Sequence, residues 1–195
     1  MKLLNGKELA EFIKQRQAHE VRSLIQANEI QPKLAIVQCK DDPVINTYVR
    51  LKKQYGADIQ IKVDVHFVSQ SEIANLLQKL NSDTSVHGII VQLPLTEPAQ
   101  TDEIVNLVSP EKDVDALGRL AKFEPATPMA ILWLLAGYNI DLQGKHVLLI
   151  GRGKLVGAPL EKILNESSID VQVVERETAD LAEQTLEADV IITAT

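Results

Sequence analysis

A lysine set inside an apolar helical arc is the first residue of this sequence that could do chemistry. In DDPVINTYVRLKKQY, residues 41–55, Val44, Tyr48, Leu51 and Tyr55 recur at spacings of three and four, and Ile45 and Val49 widen the arc. Lys52 lies in the middle of it, while Arg50, Lys53 and Gln54 point toward solvent. An ammonium group there is costly unless it is paired or neutralised, and desolvation moves a lysine toward the range useful for proton transfer. The same spacing also fits a lysine that snorkels past its neighbours. Gln92, in VQLPL, stands at the end of an apolar run, where ligands of parallel sheets gather. It could orient a substrate or a catalytic amine, or only tie down a loop. Asp115 closes SPEKDVD, residues 109–115. Its carboxylate could accept two hydrogen bonds from the amidine-like edge of a ring, although such a loop also reads as a solvated turn.

A second chemistry is suggested by GRGKLVGAP, residues 151–159, between HVLLI and LEKIL. It reads as a phosphate-binding turn with Gly151, Arg152, Gly153, Val156 and Gly157 around the ligand. Backbone N–H groups at a helix start bind phosphate, and Gly153 lets the ligand come close. Glu175, at the end of the next strand, stands where a ribose diol is held, whereas Arg176 beside it could favour a 2′-phosphate. Glu175 leans toward NAD and equally reads as a solvated charge. The expected cofactor is NADP, with NAD possible, and no metal site is expected.

These residues need elements to position them, and the chain supplies an alternation. Helical spacing over 7–28 is followed by a strand at 34–39, a helix opened by Asp42-Pro43, and a strand at 59–68. A capping box at Ser69–Glu72 opens a helix with Ile73, Leu76, Leu77 and Leu80 on one face, before a buried strand at 88–93. After a polar loop at 109–126, Thr127-Pro128 is expected to open a helix with threonine as the cap. Strands at 146–150, 170–174 and 190–194 then alternate with helices at 156–166 and 178–187. The fold class is α/β: an N-terminal substrate domain (1–126), a connecting helix and linker (127–144), and an incomplete Rossmann-like unit with a parallel sheet (145–195). A unit of three strands is expected to leave the strand at 146–150 with an unpaired edge unless a second copy covers it.

Composition narrows the classes further. With 195 residues, 45% of them hydrophobic and 24% charged, the chain can bury a substantial core. A net charge of -7 without a long basic run excludes a protein that wraps nucleic acid. No segment approaches the ~20 apolar residues of a membrane span, and the N-terminus lacks a signal-peptide core, so a cytoplasmic protein is expected. Cys39 is the one cysteine; it excludes a disulfide framework and reads as a buried structural thiol in a reducing compartment.

Four motifs occur in a fixed order: Tyr48-Val49-Arg50-Leu51-Lys52, then GIIVQLPL at 88–95, PEKDVD at 110–115, and GRGKLVGAP at 151–159. With Leu4-Asn5-Gly6-Lys7 ahead of them, the chain resembles the bifunctional methylenetetrahydrofolate dehydrogenase/cyclohydrolase family, the FolD proteins. The resemblance implies oxidation of 5,10-methylenetetrahydrofolate with NADP or NAD and hydrolysis of the methenyl product to 10-formyltetrahydrofolate, in one cleft between two domains of a homodimer. It implies that Lys52 is the catalytic lysine, that Tyr48 stacks on the substrate, that Gln92 sets the lysine's charge state beside Leu93 and Pro94, and that Asp115 holds the pterin. The family's usual glycine is Ala116 here, its Pro-Cys-Thr-Pro is Pro125-Ala126-Thr127-Pro128 followed by Met129, and its Gly-Arg-Ser is Gly151-Arg152-Gly153. Its Cys-His-Ser-x-Thr is Val174-Glu175-Arg176-Glu177-Thr178. Family chains also continue beyond the last strand, so a shortened enzyme is expected. The alternative is a non-catalytic remnant that binds folate or a partner.

Overall fold

The computed structural model describes residues 3–175 and 180–195, in two compact units. One unit is Lys7–Glu124; the other is Pro125–Thr195 joined by the N-terminal residues up to Gly6. Within that second unit the Asn5 N–H donates to the Tyr138 hydroxyl, 2.8 Å.

In the first unit, α1 (Gly6–Asn28) leads into β1 (Lys33–Gln38), α2 (Pro43–Asp58), β2 (Lys62–Phe67), α3 (Ile73–Ser82) and β3 (Gly88–Val91). The strands form a parallel sheet in the order β2-β1-β3. Residues 35–37 of the central strand are fully buried, because successive side chains enter opposite faces and both faces are covered. Ala35 and Val37 pack with Ile73 and Leu77 of α3, whereas Ile36 packs with Ile45 and Val49 of α2. Two right-handed crossovers that leave in opposite directions along the sheet require this two-sided cover.

The strand expected at 59–68 starts later, since Ile59 and Ile61 still donate to Tyr55 O and Gly56 O at the end of α2. Cys39 lies just past β1 and is half-buried rather than in the core. A 3-10 turn at Pro98–Gln100 and the short α4 (Thr101–Val105) fill a stretch for which no element is expected from spacing, and they bury Ile104 and Val105.

The second unit contains α5 (Ala126–Gly137), β4 (His146–Ile150), α6 (Gly157–Glu166), β5 (Asp170–Val174), α7 (Leu181–Glu187) and β6 (Val190–Thr193). Thr127 does not cap α5: Pro125 holds the extended cap position, so Thr127 and Pro128 fall within the first turn. Proline is tolerated there because its missing N–H would have had no helical partner. Ile131, Leu132 and Leu135 of α5 pack on Val147, Leu149, Leu160 and Leu164, so this helix belongs to the core of the second unit.

The sheet order is β5-β4-β6, all parallel. The expected unpaired edge on 146–150 is therefore wrong: β4 is the central strand and is bonded on both sides. The second crossover reverses direction and carries β6 past β4 to its free side. The outer edges belong to β5 and β6, and the point where strand order reverses lies at the end of β4.

Candidate active site

The geometry of α2 decides what Lys52 can do. Asp42 caps the helix, accepting from the N–H groups of Val44 (2.9 Å) and Ile45 (3.2 Å), with Pro43 at its first position. That fixes its rotation, and the apolar arc read from the sequence divides in two. Ile45, Val49 and Gly56 face the sheet; Val44, Tyr48, Leu51 and Tyr55 are exposed, Tyr48 to 57%. Lys52 continues the buried row 45–49–56 at helical spacing, and Gly56 completes it because any β-carbon there would run into Val63. A half-buried lysine therefore sits beside an exposed tyrosine one turn earlier.

Its ammonium end is held by Gln92, with Nζ donating to Oε1 at 2.8 Å. Gln92 follows β3, its backbone N–H still paired to Val37 O (2.9 Å), and its Nε2 donates to Leu93 O (3.0 Å). Both ends of the amide are thus committed, which fixes where the lysine is presented. An amide acceptor orients the amine without the full charge a carboxylate would add. The Leu93–Pro94 peptide is cis, and Leu95 returns to the core.

The 112–118 loop places the third group. Lys112 Nζ donates to the carbonyls of Leu80 (2.9 Å), Asn81 (2.8 Å) and Asp83 (2.8 Å), satisfying the open end of α3. Ile89 N–H donates to Lys112 O at 2.7 Å, extending β3's pairing to the loop. Val114 packs over Gly88, where a β-carbon would meet it at 3.0 Å. Asp113 is 3% exposed and accepts from Gly118 N–H at 2.7 Å and Leu117 N–H at 3.4 Å. Ala116, where glycine is usual, adopts the left-handed φ of 55° that favours glycine. Asp115 is left half-buried: burial pushes its carboxyl above the ordinary range, the Lys52 charge draws it back down, and Asp113 raises it. Lys52, Gln92 and Asp115 so form one electrostatic group, with Tyr48 beside the lysine. Leu51, exposed next to Lys52, also borders an apolar cavity of 390 Å³ that reaches Leu34, Tyr55 and Val63. Leu51 belongs to the arc read from spacing, whereas spacing does not single out Asp113.

The glycine turn of the second unit divides its labour by position. Gly151 has φ 98° and a β-carbon there would approach Ala194 O to 2.8 Å; its N–H donates to Val174 O at 2.8 Å. Around Gly153 the nearest other atom to a β-carbon is Ala194 O at 4.0 Å, so a ligand can come close to the backbone. A β-carbon on Gly157 would run into the Gly151 carbonyl, so only glycine lets α6 start against the turn. Val156 holds the cap position with no side-chain cap, but its N–H and that of Ala158 donate to Gly153 O (3.3 and 3.1 Å) and Pro159 has none, so close backbone approach at Gly153 is what this turn chiefly offers a ligand. These features fit a dinucleotide pyrophosphate, at the end of β4 where the strand order reverses. Arg152 is paired with Glu161 of α6 (Nε to Oε2, 2.6 Å), which with Glu175 raises the guanidinium's affinity for its proton. Glu175 follows β5 and is exposed; Arg176 lies outside the described residues.

Residues 4–115 match the family model for the tetrahydrofolate dehydrogenase/cyclohydrolase catalytic domain, and residues 125–195 that for its NAD(P)-binding domain. The bifunctional protein FolD of Amoebophilus asiaticus is 37% identical over 209 residues, which cover 98% of this chain and 70% of the relative. FolD of Lactobacillus acidophilus is 36% identical over 207 residues, 100% of this chain and 73% of its own. Among solved structures, the bifunctional FolD dehydrogenase/cyclohydrolase of Campylobacter jejuni superposes with a TM-score of 0.94 at 34% identity, covering all 100% of this chain and 74% of that one. FolD of Trypanosoma brucei, solved with NADP and an inhibitor, gives 0.92 at 26% identity, covering 98% of this chain and 70% of that one. The chain belongs to the tetrahydrofolate dehydrogenase/cyclohydrolase family.

Proposed function

We propose that this chain is a bifunctional enzyme of one-carbon folate metabolism. It oxidises 5,10-methylenetetrahydrofolate to the methenyl form with NADP, and hydrolyses that product to 10-formyltetrahydrofolate. The observation that carries the reading is the Lys52–Gln92 pair, 2.8 Å apart and under the field of Asp115, inside the stretch that matches the family's catalytic domain.

Each residue has a part that its surroundings support. Exposed Tyr48 offers a ring face for the pterin to stack on, and Leu93 and Pro94 bound the same end of β3. Asp115 accepts hydrogen bonds from the amino-pyrimidine edge, which fixes the substrate's orientation. In the hydrolysis, water adds to the methenyl carbon and Lys52 takes one of its protons; as the carbon's bond to the ring nitrogen breaks, Lys52 returns that proton to the nitrogen, and the remaining hydroxyl proton passes to solvent as the formyl C=O forms. Gln92 keeps the amine aimed during both transfers. In the oxidation, a bound nicotinamide supplies the hydride acceptor, and Gly151, Arg152, Gly153, Val156 and Gly157 would hold its nucleotide, with Glu175 and Arg176 at the ribose.

A non-catalytic remnant would not need the amine and amide of Lys52 and Gln92 to stay paired, and it is not favoured. We also place the enzyme in the cytoplasm, on the strength of its single free thiol; among the described residues no helix is long and apolar enough to cross a membrane. We further propose a homodimer, as the family resemblance implies. Sedimentation as a single 21.6 kDa species would remove the dimer. Two absorbance assays test the activity: loss of the methenyl band without nucleotide, and its appearance from the methylene substrate with NADP or NAD. Absence of both would overturn the reading.

A further inference from the structure

The most buried acid of the first unit is not among the groups that meet the substrate. Asp113 is 3% exposed, and both carboxylate oxygens are turned to main-chain N–H groups four and five residues ahead, Leu117 at 3.4 Å and Gly118 at 2.7 Å. Its own N–H donates to Ser109 O (3.0 Å), and its carbonyl accepts from Ala116 N–H (3.2 Å). A pairing with Ile89 ties it to β3, the strand that ends at Gln92. The side chain so closes a small ring of backbone with Asp115 inside it. Gly118 has no room for a side chain, since a β-carbon would stand 2.9 Å from the Asp113 carboxylate and 3.3 Å from Val105 O. Ala116 keeps its left-handed conformation within that ring, although an L-residue disfavours it.

We propose that Asp113 is a positioning residue of the folate site: its buried carboxylate holds the 113–118 turn closed so that Asp115 is presented to the substrate's amino-pyrimidine edge. The proposal rests on the functional reading above. The charged groups that act on Asp115 are Lys52 from α2 and Asp113 from its own loop, with opposite signs. Removing the Asp113 charge while keeping its shape must therefore change both the aim and the titration of Asp115. An asparagine can accept from Gly118 N–H through its carbonyl, but it turns an NH₂ group toward the Leu117 N–H.

The test uses calorimetric binding of 5-formyltetrahydrofolate, a stable reduced folate, across pH, normalised to folded protein. For Asp113→Asn we expect affinity to fall about tenfold, the loss of roughly one well-made hydrogen bond to the ligand. We also expect the acid limb of binding to move to lower pH, because the repulsion that raised the Asp115 carboxyl is gone. A purely structural Asp113 would lower the melting temperature and leave affinity and limb where they were; that result overturns the proposal. Should Asp113→Asn fail to fold, Gly118→Ala presses on the same carboxylate from the other side, and wild-type affinity in that variant overturns the proposal equally. A wild-type chain that binds no folate would instead sink the functional reading itself.

Discussion

Lys52→Met separates chemistry from architecture. The wild-type side chain runs along the buried row of α2 and ends in one hydrogen bond, Nζ to Gln92 Oε1 at 2.8 Å. Methionine has nearly the same length and suits the apolar neighbours Leu34, Leu51 and Tyr55 that share the adjoining cavity. What is lost structurally is one partly buried bond to a charged donor, worth about 1.5–3 kcal/mol, and the gain in apolar contact offsets most of it. The net change is within about 1 kcal/mol, a shift of about 2–4 °C in melting temperature for a chain of this size. The loss in reaction rate is of another order. A proton carrier contributes ~10²–10⁴-fold, equivalent to about 3–5 kcal/mol of barrier. Nucleotide-free decay of the methenyl absorbance should therefore drop by that factor while folate binding stays within a few-fold of wild type. Wild-type hydrolysis by the folded variant would remove lysine from the mechanism. A rate loss matched by collapse of the melting temperature and of folate binding would make Lys52 a structural residue.

Three further outcomes follow from the same geometry. Burial raises the Asp115 carboxyl despite Lys52, so its contribution to stability is present below the ordinary carboxylate range and is lost as pH rises through the raised value. Asp115→Asn should then melt higher than wild type at pH 7 and bind reduced folate at least tenfold more weakly; a lower melting temperature would contradict the assignment of burial as the dominant cause. Gly157→Ala drives a β-carbon into the Gly151 carbonyl and to 2.9 Å from Arg152 Cα. It should cost about 1–3 kcal/mol and weaken NADP binding, measured by nucleotide fluorescence, more than tenfold; unchanged binding would show that the turn does not hold the pyrophosphate. His146 Nδ1 lies 2.8 Å from Asp170, which raises the imidazole above its usual range, with Gln172 on Nε2 at 3.2 Å. The stability from this pairing is full below the ordinary histidine range and fades as pH rises through the raised value. Thermal melts of Asp170→Asn against wild type should differ most in mild acid and converge in base, and a pH-independent difference would refute the link.

The parts of this protein that were legible in sequence share one property: a pattern of side-chain types at a fixed spacing. Strand and helix alternation, the Asp42-Pro43 helix start and the three glycines of the phosphate turn are such patterns, and each element lies close to where its pattern predicts. Lys52 was legible for a reason that the structure revises. Its arc of Val44, Tyr48, Leu51 and Tyr55 is largely exposed, and the row that buries it is Ile45, Val49 and Gly56, one residue around the helix. Hydropathy marks both rows alike, and only the capped rotation of α2 chooses between them.

Illegible features depend on main-chain partners and on sheet order. The carboxylate of Asp113 bonds to the N–H groups of residues 117 and 118, and backbone donors leave no mark in side-chain spacing. PEKDVD reads as a charged surface turn, yet Lys112 closes the end of α3, Asp113 closes the loop, Val114 covers Gly88 and Asp115 is left half-buried in the field of Lys52. Short α4 has too few residues to display a helical period. The place of β4 was missed because alternation along a chain says which strands exist and not which are neighbours. A crossover that reverses direction puts the first strand of the unit in the middle, and by doing so creates the crevice beyond β4 where the glycine turn lies. The same reversal in the first unit puts β1 between β2 and β3 and leaves Gln92 at the end of β3. Gln92 in the first unit and the glycine turn in the second therefore stand where the strand order turns, so their positions follow from topology as much as from motif.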